Sequence, residues 1–190
     1  MSLPEIQLAT DGDLNYALFK HDDIVSNHVR RGGYETELQA ETAKLLADCT
    51  DGIVLDIGAN LGSYTVPVAK AHPHLQFHSF EPQRIIYYQL CANVFLNRLD
   101  NVYCYQYGLS DAEWAEPLVM PDYEKESNIG AFSVDPAVRE KDYEVRTEGA
   151  TEFINCVKLD LLKLTNVRLI KIDVEGHELE ALSGAYETLQ

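Results

Sequence analysis

The strongest constraint on this chain is an alternation. Three short apolar runs, DGIVLDIG, LQFHSFEP and NVYCYQYGLS, are separated by segments whose apolar residues recur at helical spacing. Ile53 to Ile57 read as a short buried strand, with the turn signal Asp51-Gly52 ahead of it. Before that strand, Leu38, Thr42, Leu45, Leu46 and Cys49 repeat at helical spacing between Tyr34 and Cys49. A second helix is predicted from about Leu61 to Ala71, capped by Asn60. Pro67 lies inside it and removes the hydrogen bond to the Ser63 carbonyl, so a kink or a late start is expected. A third helix is predicted from about Arg84 to Asn97, and VRLIKIDV supplies a fourth strand. This repetition predicts an α/β fold: a parallel sheet with right-handed crossovers and helices on its faces.

The pattern is weaker elsewhere. Residues 1–33 are mixed, end in RRGG and read as an N-terminal segment ahead of a single domain spanning 34–190. Between Asp111 and Val157 the short runs PLVM, AFSV and FINCVKL alternate with polar stretches, predicting a β-hairpin or irregular insertion at about 111–158. The last helix is expected to carry Leu179, Leu182, Ala185, Tyr186 and Leu189 on one face.

Composition narrows the partners. With 31 acids against 15 bases the net charge is −16, a field that repels nucleic acid and anionic lipid but tolerates a small cationic ligand. No apolar run approaches the roughly 18 residues of a membrane span, and MSLPEIQLAT has no secretory character, so a cytoplasmic location is expected. Cys49, Cys91, Cys104 and Cys156 are widely spread without a CxxC pair, which predicts free thiols.

Ligands of open parallel sheets bind beyond the carboxyl ends of the strands. The first strand runs into Asp56-Ile57-Gly58-Ala59-Asn60-Leu61-Gly62, where small residues permit a sharp turn and close approach to a ligand. The second ends in Phe80-Glu81-Pro82, which places the Glu81 carboxylate to accept ribose hydroxyls. A dinucleotide normally requires GxGxxG, whereas the spacing here is GxxxG and Asp56 would repel a pyrophosphate. A carboxylate attracts a sulfonium instead, by roughly 4 kcal/mol at about 4 Å and an effective dielectric near 20. S-adenosylmethionine therefore fits better than NAD.

VLDIGANLGSYT, SFEPQ, the helix with Asn93 and Asn97, YGLSD, SNIGAFSV, VKLDLL and LIKIDVEGHELEALSGA follow one another in order. As an ordered set they resemble the FkbM family of S-adenosylmethionine-dependent methyltransferases, from about Tyr34 to the end. The resemblance implies the class I methyltransferase fold, Rossmann-like and doubly wound, with methylation of hydroxyl groups on small molecules or carbohydrates. It implies a cofactor site with Asp56, Gly58, Asn60 and Gly62 on the methionine side and Glu81, Pro82 and Gln83 at the ribose. Gly108, Leu109 and Ser110 are implied near the adenine. Tyr34 and Glu35 match a short signature without an assigned role, and Asn128 and Gly130 match a polar segment of the insertion. The family fold also implies further strands after the last helix, and the sequence stops at Gln190 before them. The fourth strand is then expected at an exposed edge, or covered by a partner such as a second copy.

Methyl transfer to a hydroxyl needs alignment and a proton acceptor. Asp173, Glu175 and His177 follow the fourth strand and are the candidates, with Asp173 foremost because a carboxylate after Ile170 and Ile172 is awkward to bury without a role. His177 reads either as a base or as part of a helix start. Asp173 and Glu175 alone offer too few oxygens for a hard cation, so no metal is expected. Two other readings stay open: a truncated module without catalysis, and a nicotinamide-dependent oxidoreductase.

Overall fold

The computed structural model describes residues 3–22, 24–124, 129, 132–135, 138 and 150–190. Two strands open the chain, β1 (Ile6–Asp11) and β2 (Leu14–Phe19), followed by helices α1 (Val25–Arg30) and α2 (Thr36–Leu45). Then come β3 (Ile53–Ile57), α3 (Thr65–Ala71), β4 (Gln76–Phe80), α4 (Arg84–Leu96) and β5 (Val102–Tyr105). The chain continues through β6 (Gly108–Leu109), β7 (Trp114–Val119), β8 (Thr151–Val157), β9 (Val167–Ile172) and α5 (Glu178–Ser183).

The central sheet has the order β5-β4-β3-β9, all parallel, so the α/β alternation read from the sequence is the fold. Side chains alternate across it. Val54, Phe77 and Leu169 face a core with α3 (Val66, Val68, Ala69), whereas Leu55, Ile57, Phe80, Ile170 and Ile172 face Leu159, Ala181 and Ala185. As expected, β9 forms an edge of this sheet among the described residues.

One local expectation is met and three need correction. The helix after β3 takes the late start: it begins at Thr65, so Pro67 falls in its first turn, where no bond is lost. Tyr64, not Asn60, is its N-cap, and Asn60 instead adopts a left-handed conformation (φ 50°) within the preceding loop. The third strand ends at Tyr105; Gly108–Leu109 crosses to a second sheet, β6-β8-β7, in which β7 and β8 form the predicted antiparallel pair. The apolar face of the last helix points outward: Leu179 is 72% and Tyr186 67% exposed, and the segment packs through Ala181 and Ala185 instead. A Cβ on Gly184 would lie 1.9 Å from the Ser110 carbonyl oxygen, so the position has room for glycine alone.

The N-terminal residues, which looked featureless, form an antiparallel hairpin with Gly12 in the turn at positive φ. Leu14, Tyr16 and Leu18 enter the core. Side-chain amides at four-residue spacing along α4 and its C-cap clasp the β2 backbone: Ala17 N–H donates to Asn93 Oδ1 (2.6 Å), Gln89 Nε2 to the Ala17 carbonyl (2.8 Å), and Asn97 Nδ2 to the Asn15 carbonyl (2.7 Å). Asn93 Nδ2 also donates to the Leu61 carbonyl (2.8 Å), tying the hairpin to the loop after β3. Asn93→Ala leaves both buried partners unpaired and is expected to destabilise the chain by about 2–3 kcal/mol in urea unfolding. A loss below about 0.5 kcal/mol would show that water replaces the clasp.

Candidate active site

Beyond the carboxyl ends of β3, β4 and β9 a cavity opens, walled by Tyr34, Glu35, Gly58, Asn60, Glu81, Pro82, Gly108, Leu109, Lys171, Asp173, Glu175 and His177. Phe132 and Val134 of the insertion add an apolar wall. Asn128 and Gly130 lie outside the described residues.

The loop leaving β3 bends through positive φ at Gly58 (81°), Asn60 (50°) and Gly62 (88°). Gly58 and Ala59 N–H both donate to the Phe80 carbonyl, at 3.0 and 2.9 Å, which brings the loop over the end of β4. A Cβ on Gly58 would lie 1.9 Å from the Asp173 carbonyl oxygen, and Asp173 N–H donates to the Ile57 carbonyl (2.9 Å). Gly58 is thus required by the packing of β3 against the end of β9. Gly62 is buried behind the wall, against Leu90.

Glu81 is only 5% exposed although it borders the cavity. Its carboxylate accepts hydrogen bonds from the Asn60 N–H (3.1 Å) and the Gln83 N–H (2.9 Å). Burial pushes its pKa up to about 7, against the downward pull of those two donors. Tyr123 Oη–H donates to Gln83 Oε1 (3.0 Å), linking the insertion to this corner.

Asp56 does not reach the cavity wall. It is fully buried, and its Oδ2 accepts a hydrogen bond from Thr65 Oγ1 (2.6 Å), which in turn accepts one from Ser79 Oγ (2.8 Å). On its other side Lys171 Nζ stands 3.2 Å from Oδ1, a charge contact without hydrogen-bond alignment. These residues are register partners: Asp56 lies opposite Ser79 on one neighbour and opposite Lys171 on the other. A polar seam therefore crosses three strands beneath the cavity floor.

Lys171 was absent from the sequence-based candidates. Its side chain is 10% exposed; Nζ donates to the Gly58 carbonyl (3.2 Å), lies 3.6 Å from Asp173 Oδ2 and sits 5.9 Å above the Tyr64 ring. Burial lowers its pKa, but Asp56, Asp173 and Glu35 more than reverse this, so it stays charged above the ordinary lysine value. The signal was available in the sequence: a lone lysine between Ile170 and Ile172, in a strand apolar enough for an interior position, calls for a buried acid beside it.

Glu35, left without a role by the sequence, joins the site. It occupies a left-handed conformation (φ 53°) at the start of α2 and caps nothing with its side chain. Such backbone persists only where surrounding structure enforces it. Burial raises its carboxyl pKa, opposed by Lys171 and reinforced by Asp173 and Asp56.

Asp173, Glu175 and His177 all line the cavity. The Asp173 side chain is about half exposed, at 51%, so its carboxylate keeps contact with solvent. His177 occupies the N-cap position of α5 but makes no side-chain cap bond. Its Nε2 lies 3.1 Å from Ser110 Oγ, which also accepts from Trp114 Nε1 (3.3 Å). Ser110 is 1% exposed and forms no part of the cavity wall. Ser110 thus lies behind His177 rather than on the cavity wall.

Comparison with known proteins agrees with the order of motifs. The methyltransferase FkbM domain matches residues 56–190. Methyltransferase sdnD of Sordaria araneosa is 30% identical over 159 residues, covering 70% of this chain and 60% of that protein. Methyltransferase 1 of Beauveria bassiana is 23% identical over 145 residues, covering 70% and 58%. The chain thus spans about 60% of the length of these curated relatives. Among solved structures, TYW2 of M. jannaschii in complex with AdoMet overlaps 55% of this chain and 44% of its own (18% identity, TM-score 0.41). A SAM-dependent methyltransferase from Agrobacterium tumefaciens overlaps 57% and 34% (11% identity, TM-score 0.42). On the extent of the domain match, this chain belongs to the FkbM methyltransferase family.

Proposed function

We propose that the cavity binds S-adenosylmethionine and that the protein methylates a hydroxyl group of a small molecule or carbohydrate. The observation that carries the cofactor reading is Glu81. A carboxylate accepts about four hydrogen bonds, and two of those on Glu81 come from backbone within the chain, leaving capacity for a diol at the cavity wall. The acidic groups around the end of β9 suit a cationic ligand rather than a pyrophosphate, which disfavours the nicotinamide alternative.

When bound, S-adenosylmethionine supplies a methyl group activated by the adjacent positive sulfur. Glu81 would hold the ribose hydroxyls. Asp173, with one side open to solvent, would take the proton that the acceptor hydroxyl loses as its oxygen bonds to the methyl carbon and the carbon–sulfur bond breaks, leaving the neutral sulfide. Phe132 and Val134 restrict water on the acceptor side.

Calorimetric titration tests this reading. Micromolar binding of S-adenosylmethionine and S-adenosylhomocysteine is expected, with no heat from NAD. Failure of the folded chain to bind either adenosyl compound would overturn it. Methyl incorporation into amine but not hydroxyl acceptors would overturn the second half alone.

A further inference from the structure

Among the described residues, Lys171 is the one lysine or arginine on the cavity wall, against the carboxylates of Glu35, Glu81, Asp173 and Glu175. At 10% side-chain exposure its charge is poorly screened by water, so its field reaches the cavity. One of its three N–H donors is engaged by the Gly58 carbonyl, and its charge is shared between Asp56 and Asp173. The ammonium is therefore a fixed feature of the fold, held from below by a buried carboxylate that does not line the cavity. Two opposed charges are stacked under the floor, Asp56 beneath and Lys171 at the surface.

Resting on the cofactor reading above, we propose that Lys171 sets the charge balance of the site: its ammonium offsets the wall carboxylates and limits the preference for a sulfonium over the neutral sulfide left after transfer. Without it, the acids would hold the charged donor more tightly than the reaction needs and deepen the ground state from which the methyl group departs. Asp56, by holding Lys171 in place and partly neutralising it, tunes the same balance from the opposite side.

The test is the ratio of affinities for S-adenosylmethionine and S-adenosylhomocysteine, measured by calorimetry at pH 8 and low salt. Both ligands share the adenosine and the amino-acid tail, so the ratio isolates the charge on sulfur. Lys171→Met is expected to raise the preference for the charged ligand by roughly five- to tenfold, the size expected for one poorly screened charge several ångströms away. Asp56→Asn frees more of the Lys171 charge and is expected to shift the ratio by a similar factor the other way. The double variant Asp56→Asn/Lys171→Met, which removes one charge of each sign, should return close to the parent ratio.

A role confined to packing would weaken both ligands together and leave the ratio unchanged in all three variants, and that result would overturn the proposal. Lys171→Met strands a buried carboxylate; if it does not fold, the opposite shift in Asp56→Asn and the parent-like ratio of the double variant still decide. A parent chain that binds neither ligand removes the cofactor reading and this inference with it. A parent that binds both, with ratios that do not move, removes only the inference.

Discussion

Glu81→Gln is expected to weaken S-adenosylmethionine binding by roughly 100-fold while making the folded chain more stable at pH 8, because two charge-assisted bonds to a ribose are lost and a buried charge disappears. The stability half follows from the raised pKa of the Glu81 carboxyl. The carboxyl of Glu81 moves from an ordinary 4.5 to about 7 in the folded chain. The fold thus holds this proton more tightly than the unfolded chain, so its contribution is fully present below pH 4.5. It is lost as the pH rises through about 7 and is level beyond. The difference corresponds to about 3 kcal/mol between the two ends of that range. Glutamine cannot ionise and escapes the loss. Urea unfolding at pH 5 and pH 8 is the measurement: the variant should gain on the parent at pH 8 and match it near pH 5. Equal shifts at both pH values would show that Glu81 is not penalised by burial. In the parent, cofactor affinity should rise between pH 6 and pH 8 as the carboxylate forms.

Gly58→Ala is the second large effect. The new Cβ would lie 1.9 Å from the carbonyl oxygen of Asp173, and the position holds φ at +81°, so both space and backbone oppose it. Because the obstacle is backbone, no rotamer relieves it. Either the loop leaves the end of β4 or the end of β9 moves out, breaking the Asp173 N–H bond to Ile57. A loss of about 4 kcal/mol or more is expected, and a fall of roughly 10 °C in Tm. Gly62→Ala is the comparison: the nearest atom to its Cβ is the end of the flexible Leu90 side chain, at 2.9 Å, so a smaller loss is expected. A Gly58→Ala chain melting within about 2 °C of the parent would mean that the junction of β3 and β9 is looser than drawn.

Both substitutions concern residues that the sequence marked. Gly58, expected to let the loop approach a ligand, lines the cavity and in addition closes the junction of β3 and β9. Glu81 kept its expected place at the end of β4, and the chain now shows what holds it: the backbone N–H groups of Asn60 and Gln83. Asp56, which looked like the acid facing a sulfonium, is buried under the floor and paired to Lys171.

The sequence by itself determined the parallel β-α alternation, the bounds of β3 and the cluster of Asp173, Glu175 and His177 at one strand end. These are local signals: apolar runs, helical spacing and turn residues act over a few positions, and a strand end carries its neighbours with it. The tertiary structure alone decided the rest. Asp56 and Lys171 are far apart in sequence and meet because parallel register aligns them across adjacent strands. Ser110 supports His177 because the chain turns back through β6 to pass beneath α5. The leucines of α5 face outward because Ala181 and Ala185, the smaller residues, fit against Leu159 and the sheet. Pairing of charges and choice of packing face are settled by whichever distant surface arrives alongside, and no period in the local sequence records that.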